Sequence, residues 1–460
     1  MSSIPGAGAP SGLERGTEAV RLRELMMLSG PIAVALYGET FLGLAQNRLV
    51  GGLGAAALGG VALGVEMMFL NFQVVFGFMR GVKVRTAFAV GAGRPEDGLR
   101  YALVGMGMGA VAGGLILWFG QDISWVLQAL AVDPELIAPA RDFFAALSLG
   151  APATCTLGAL IQHRQALGDA RSPMLIGLVG NLLNVLLAYC LINGHAGLPA
   201  LGISGAGYST TLIKYLELAV MSWLFLRSAR AQRRSSRSKL PWRSAFREVA
   251  DIGVPIGLHF GFETLAFTCF TAILAGIGSE QIAAHQIAGA TLRISFLTGI
   301  AIAEAASVFV GRALGQHQLA EADRVVTTAL RMGISFMGLC GLVFALFGGG
   351  IAAAFTDDPT VAAMAQRLLW LSASFQVFDA MSHVLRGALR GAKDVRMPAI
   401  LGVVVVWLCV PTAAWFLGRV AGWGALGAWC GFFVRTFLLA VLFQYQWKKG
   451  HWRSAYRSAS

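Results

Sequence analysis

About twelve stretches of roughly 20 apolar residues follow one another along this chain, and that length is what one helix needs to cross a hydrocarbon layer of roughly 30 Å. No water-soluble core buries so many long runs. With 56% hydrophobic and 13% charged residues, the chain also lacks the polar side chains that would cover a soluble surface. The runs do not alternate in polarity, which excludes a membrane β-barrel. The expected fold is an all-α integral membrane protein of about twelve transmembrane helices. The spans fall roughly at 25–50, 54–80, 100–120, 138–161, 173–193 and 202–227, then at 248–276, 282–310, 327–350, 361–388, 398–418 and 424–447. The 58 glycines suit such helices, because small residues let backbones approach where no hydrophobic force drives association.

A formal charge of +12 suggests nucleic acid in a soluble protein, but here its distribution follows the membrane. If the amino terminus is cytoplasmic, most of the 36 Lys and Arg fall on the cytoplasmic side, as the positive-inside rule requires. The densest group is Arg227, Arg230, Arg233, Arg234, Arg237, Lys239, Arg243 and Arg247, a basic linker facing anionic lipid. No nucleic-acid partner is expected. Residues 1–24 read as a polar cytoplasmic segment without the pattern of a cleavable signal, and 448–460 as a cytoplasmic tail. The six cysteines sit in apolar segments without metal-like spacing and read as packing residues.

The chain repeats itself at an offset of about 224 residues, far longer than a solenoid unit. PIAVALYGETFLG from Pro31 aligns on PIGLHFGFETLAF from Pro255, so Glu39 is the counterpart of Glu263. Gly168 and Pro173 match Gly391 and Pro398, and Gly205-Ala206 matches Gly427-Ala428. Two lobes follow, 25–227 and 248–447, joined by the linker 228–247. With six spans each they insert in the same orientation, an architecture suited to alternating access.

An ionised side chain near the bilayer centre costs from about 2.5 kcal/mol upward, so intramembrane acids are the candidate sites. Glu263 lies near the middle of the seventh span, eight residues after Pro255. Asp379 lies in the tenth, where Gln376, Asp379 and His383 share one helix face. A buried carboxylate can take up a proton near neutrality or join an oxygen cage for Na⁺; the alternative is an ion pair that holds helices together. Glu39, Glu66 and Glu304 read more as such pairs, with Glu304 set opposite Arg80 as a gate between the lobes. Arg80, Lys83 and Arg85 could instead snorkel to headgroups or, with Arg48, line a route for an anionic substrate. Asn71, Gln73, Asn181, Asn184 and Gln286 suit helix packing and substrate contact equally. No nucleophile, metal cluster or acid–base pair marks an enzyme, and midplane acids in duplicated halves suit a carrier better than a channel.

With these residues in place the sequence resembles the multidrug and toxic compound extrusion (MATE) family, nearest its NorM-like branch. The marks are LSGPIAVAL, VGAGR at 90–94, GDARSP, LGISGAG at 201–207, the Pro255-to-Glu263 spacing, AAHQIA at 283–288, VGRALG at 310–315, and QVFDAM followed by LRGAKD. The resemblance covers residues 25–447. It implies two pseudo-symmetric six-helix lobes that rock between inward- and outward-facing forms, exporting amphipathic, often cationic, organic compounds against entering H⁺ or Na⁺. The alternative within transport is export of an anionic or zwitterionic natural product or a lipid-linked precursor. It further implies a monomer in the bacterial inner membrane with no cofactor beyond the coupling ion, and a cation site, with Na⁺ as its metal candidate, at Glu263 and Asp379. Glu39, Gln376 and His383 are accessory candidates; Gln46, Asn184, Gln286, Arg80 and Glu304 are candidates for cavity or gate. The sequence departs from the family at three points. Gln46 stands where the family carries a first-span Asp, Ala188 where it carries Asp or Asn, and Phe375 where the NorM branch can place Tyr. The expected coupling is therefore concentrated in the second half, with Glu39 as the residue that could replace the lost acid.

Overall fold

A computed structural model describes residues 12–129, 132–233, 238–450 and 452–457. Residues 1–11 of the amino-terminal segment, Arg234 and Arg237 of the basic linker, and residues 458–460 of the tail lie outside the described residues. The described chain is helical throughout. The first half runs α1 (Gly12–Gly51), α2 (Ala55–Gly91), α3 (Pro95–Gly120), α4 (Ser124–Ala129), α5 (Pro134–Ser148), α6 (Ala151–Ala166), α7 (Arg171–Asn193) and α8 (Ile203–Arg233). The second runs α9 (Trp242–Ala275), α10 (Ser279–Gly315), α11 (Leu319–Ala353), α12 (Pro359–Gly391), α13 (Arg396–Ala413), α14 (Gly424–Lys449) and α15 (Trp452–Arg457).

Ten of these helices are long and apolar enough to cross a membrane, against about twelve expected, and each difference has a physical cause. The expected span 138–161 is a pair, α5 and α6, bent by 51°. Pro152 in the first turn of α6 has no N–H to carry the ladder across the break. Gly150 lets the corner press on Thr211 of α8, whose Oγ1 would lie 2.9 Å from any Cβ there. Counted as one span, the pair makes eleven. The remaining helix is α12, 33 residues long but too polar to qualify, because Gln376, Asp379, His383, Arg386 and Arg390 are all on it. It packs against α10, α11 and α14, which do qualify, and so shares their depth.

After α13 the helix widens into a π-helical turn over Ala414–Val420. Pro411 leaves the Trp407 carbonyl without its backbone donor, and the Thr412 hydroxyl donates to that oxygen at 3.2 Å.

The halves meet most closely where the second part of α2 crosses the first part of α9. Gly77 faces Gly257 and Gly81 faces Val249 and Gly253; a Cβ on Gly81 would lie 2.4 Å from the Val249 carbonyl oxygen. Further inter-half contacts join Arg21 to Glu321 at 2.6 Å and Tyr37 Oη, donating at 2.7 Å, to the Ile294 carbonyl. A buried cluster spans the seam, with Leu25, Leu28, Ile32 and Ala87 from the first half against Ala301, Ile302, Ala305 and Val308 from the second.

Candidate functional site

Inside the second half, Glu263 on α9 is drawn into a buried cluster with residues of α12 and α14. Arg435 on α14 donates from Nη2 to Glu263 Oε1 at 2.9 Å, and Arg386 on α12 donates from Nη1 to Oε2 at 3.3 Å. Both carboxylate oxygens are thus held by guanidinium groups. The same Arg386 Nη1 lies 2.8 Å from His259 Nε2, one turn before Glu263, and its Nη2 lies 3.0 Å from His383 Nδ1. A guanidinium has only donors, so both imidazole nitrogens accept, and one arginine fixes both ring tautomers. Nε2 of His383 then carries the proton and faces Asp379 Oδ2 at 3.5 Å. Since His259 Nε2 is an acceptor, its 3.3 Å approach to Glu263 Oε2 is bridged by Arg386 rather than being an ion pair. Asp379 Oδ1 is buried with no hydrogen-bond partner.

Gln376, one turn before Asp379, turns elsewhere: its Nε2 donates to Ser295 Oγ on α10 at 3.0 Å, and its Oε1 has no partner. Phe375 is buried and offers no oxygen. The structure therefore brings Glu263, Asp379 and His383 into one neighbourhood, with Gln376 at its margin.

A second cluster lies on the seam. Glu304 of α10 accepts from Arg80 Nε at 2.8 Å and Lys83 Nζ at 2.5 Å, both from α2, and from Arg390 Nη1 of α12 at 3.0 Å. Lys83 is 1% exposed, so it does not snorkel to the headgroups; burial against Glu304 holds it inward. Arg85 pairs with Glu248 of α9 at 3.2 Å. One acid thus ties two cations of the first half to one of the second.

In the first half, Gln46 donates to Thr210 Oγ1 at 2.8 Å, Asn184 Nδ2 donates to the same oxygen at 3.1 Å, and Ser209 Oγ donates to Asn184 Oδ1 at 2.9 Å. This network is uncharged. Glu39, seven residues before Gln46 on α1, accepts from Lys214 Nζ of α8 at 3.3 Å. Gln286, Glu66 and Arg48 are exposed and stand apart from these groups.

The sequence reading did not single out Arg386, Arg390, Arg435, His259, Lys214 or Glu217. A signal existed for some of them. His259 precedes Glu263 by four residues, and Asp379, His383, Arg386 and Arg390 recur at helical spacing on one face. Arg435 stands alone in an apolar span, and although Glu217 follows Lys214 by three residues, nothing in the local sequence of either base names a partner on a distant helix.

The sequence profile of the MatE family matches residues 31–190 and again 255–415, well over half of the chain and once in each half. The probable multidrug resistance protein NorM of Pseudomonas syringae pv. tomato is 32% identical over 443 residues, covering 92% of this chain and 94% of that protein. Among solved structures, a MOP superfamily transporter from Pyrococcus furiosus, described as having a binding pocket of reversed polarity, superposes with a TM-score of 0.84 at 19% identity, over 95% of this chain and 97% of that one. The eukaryotic MATE transporter AtDTX14 has the same TM-score at 19% identity, over 96% and 98% of the two chains. The paired profile matches, the similarity to NorM and the multi-pass helical fold agree: the chain belongs to the MATE family and is a membrane transporter, not an enzyme.

Proposed function

We propose that this transporter is a proton-coupled exporter of amphipathic organic compounds that works by alternating access, in line with the multidrug resistance relatives. The observation that carries the reading is the buried, unpartnered Oδ1 of Asp379 beside the His383 ring, inside a half that also buries Glu263. Coupling requires a group that can be neutral or charged while the path around it changes sides. Asp379 has the free oxygen. Glu263 does not, because both of its oxygens are engaged by arginines, and it acts as the countercharge that keeps Arg386 and Arg435 in place.

That engagement also favours H⁺ over Na⁺. A hard cation needs several oxygens around it, whereas this cluster offers one free carboxylate oxygen and a phenylalanine at position 375. The basic end of the molecule is placed in the cytoplasm by the positive-inside rule, with both termini there and the protein in the bacterial inner membrane. The close seam along α2 and α9 then closes the cytoplasmic side, and the Glu304 cluster is its lock. The lobes are residues 25–227 and 248–447, and the transporter acts as a monomer.

In proteoliposomes an inward proton gradient should drive accumulation of a cationic dye on the opposite side, a Na⁺ gradient alone should not, and Asp379→Asn should abolish the driven component. Wild-type rates in Asp379→Asn would refute the assignment. A second reading, export of an anionic or zwitterionic compound, is favoured by the excess of Arg80, Lys83, Arg386, Arg390 and Arg435 over Glu263, Glu304 and Asp379 in the interior. Competition of dye transport by an organic anion but not by organic cations would select it.

A further inference from the structure

Lys214 of α8 is gripped from two sides. Its Nζ lies 3.3 Å from Glu39 Oε1 on α1 and 3.0 Å from Glu217 Oε2, one turn further along α8. Among the described residues, the charged groups that act on Lys214 and Glu217 are each other and Glu39, with none added from α5, α6 or α7 packed against α8, so two carboxylates share one ammonium and the cluster carries a net negative charge when all three are ionised. Glu217 is 4% exposed, and its Oε1 has no hydrogen-bond partner. That oxygen lies against Gly180 of α7, where a Cβ would come within 2.1 Å of it and push the carboxylate aside.

The arrangement repeats that of the other half. There an acid of the first helix, Glu263, pairs with a base of the last, Arg435, and a second buried acid, Asp379, has a free oxygen. Here Glu39 pairs with Lys214, and Glu217 has the free oxygen. The halves differ in balance: Arg386 supplies the second base in one, and the other has no second base in this position.

We infer that Glu39, Lys214 and Glu217 form a second proton-binding site, with the proton carried on Glu217. The inference rests on the reading of the protein as a proton-coupled transporter and adds a site in the half that lacks the family's first-span Asp. A metal cation does not suit the position, since Lys214 occupies the space between the carboxylates and the free oxygen is walled by Gly180. A proton needs only that oxygen. With Glu217 protonated, Lys214 and Glu39 remain as a balanced pair. On release, Lys214 is shared by two carboxylates, one of them on the half-exposed Glu39 (55%). The ammonium is the positioning group, and Glu217 is the carrier.

Difference infrared spectroscopy of the full-length protein between acid and alkaline pH reads this directly. Wild type should show carboxylic-acid carbonyl intensity from both Asp379 and Glu217 that disappears as pH rises. Glu217→Gln should lose the Glu217 component, and Glu39→Gln should lose it too, because the remaining Lys214–Glu217 pair is balanced without a proton. Asp379→Asn should keep the Glu217 component and lose only its own. In proteoliposomes both Glu217→Gln and Glu39→Gln should carry about one proton fewer per substrate, with substrate affinity unchanged. A band and a proton-to-substrate ratio equal to wild type in Glu217→Gln and Glu39→Gln would overturn the inference and leave proton-driven transport standing. If wild type shows no proton-driven transport, that reading fails, while the infrared band still decides whether Glu217 binds a proton.

Discussion

Single side chains set the local chemistry, and the clearest case outside the spans is Lys393, in the turn between α12 and α13. Its backbone is left-handed, with φ at 63°, and its ammonium lies over the Phe88 ring. Burial pushes its pKa down to about 7, with Arg85 adding to the effect and Glu248 opposing it. The folded state therefore binds fewer protons than the unfolded chain between about pH 7 and the ordinary lysine value near 10.5, and stability should rise with pH across that window. Below pH 7 both states are protonated, and the full cost of burying the charge is present. Lys393→Met should raise the melting temperature in detergent by a few degrees at or below neutral pH and flatten the rise above it. An unchanged slope would show that another group causes it. The same residue scale explains why His383, a weak signal in sequence, gains meaning in the fold. Its tautomer is set by Arg386, so its N–H is turned toward Asp379.

At the scale of elements, the crossing of α2 and α9 depends on glycine. Adding side chains at Gly77 and Gly81 would drive atoms into the backbone of α9 at separations real Cβ atoms do not show. Gly77→Val and Gly81→Val should each weaken this closed contact by about 1–3 kcal/mol. Hydrogen exchange along 249–261 should rise, and transport should fall, with expression retained; unchanged exchange would remove the crossing from the closure. Most helices were legible as apolar runs, because the requirement to pair every backbone group inside the bilayer leaves helix as the conformation of a 20-residue apolar segment. Two were less so. The corner between α5 and α6 depends on how Gly150 meets Thr211, a contact that no window of local sequence contains. α12 reads as the most polar span because its functional face is turned inward against α10 and α14.

Across the whole molecule, Glu304 is the acid on which two cations of the first half and one of the second converge. Removing it should leave Arg80, Lys83 and Arg390 buried and mutually repelling, so Glu304→Gln should cost the closed seam about 3–5 kcal/mol. The shift should appear as faster hydrogen exchange in residues 74–91. A variant with wild-type exchange would show that the seam rests on packing alone. The pairing of Glu304 with Arg80 was legible because the internal repeat sets the two regions opposite each other. The duplication, the membrane class and the family were likewise legible in the sequence, which also singled out Glu263, Asp379 and Glu39 as candidates, since hydropathy and repeat are properties of order along the chain. Which bases meet those acids was decided only by tertiary structure. Arg386 reaches Glu263 from α12, and Arg435 and Lys214 reach their carboxylates from the last long helix of each half. Charge balance in a buried site depends on distances of a few ångströms between residues more than 100 positions apart, and the order of amino acids does not contain those distances.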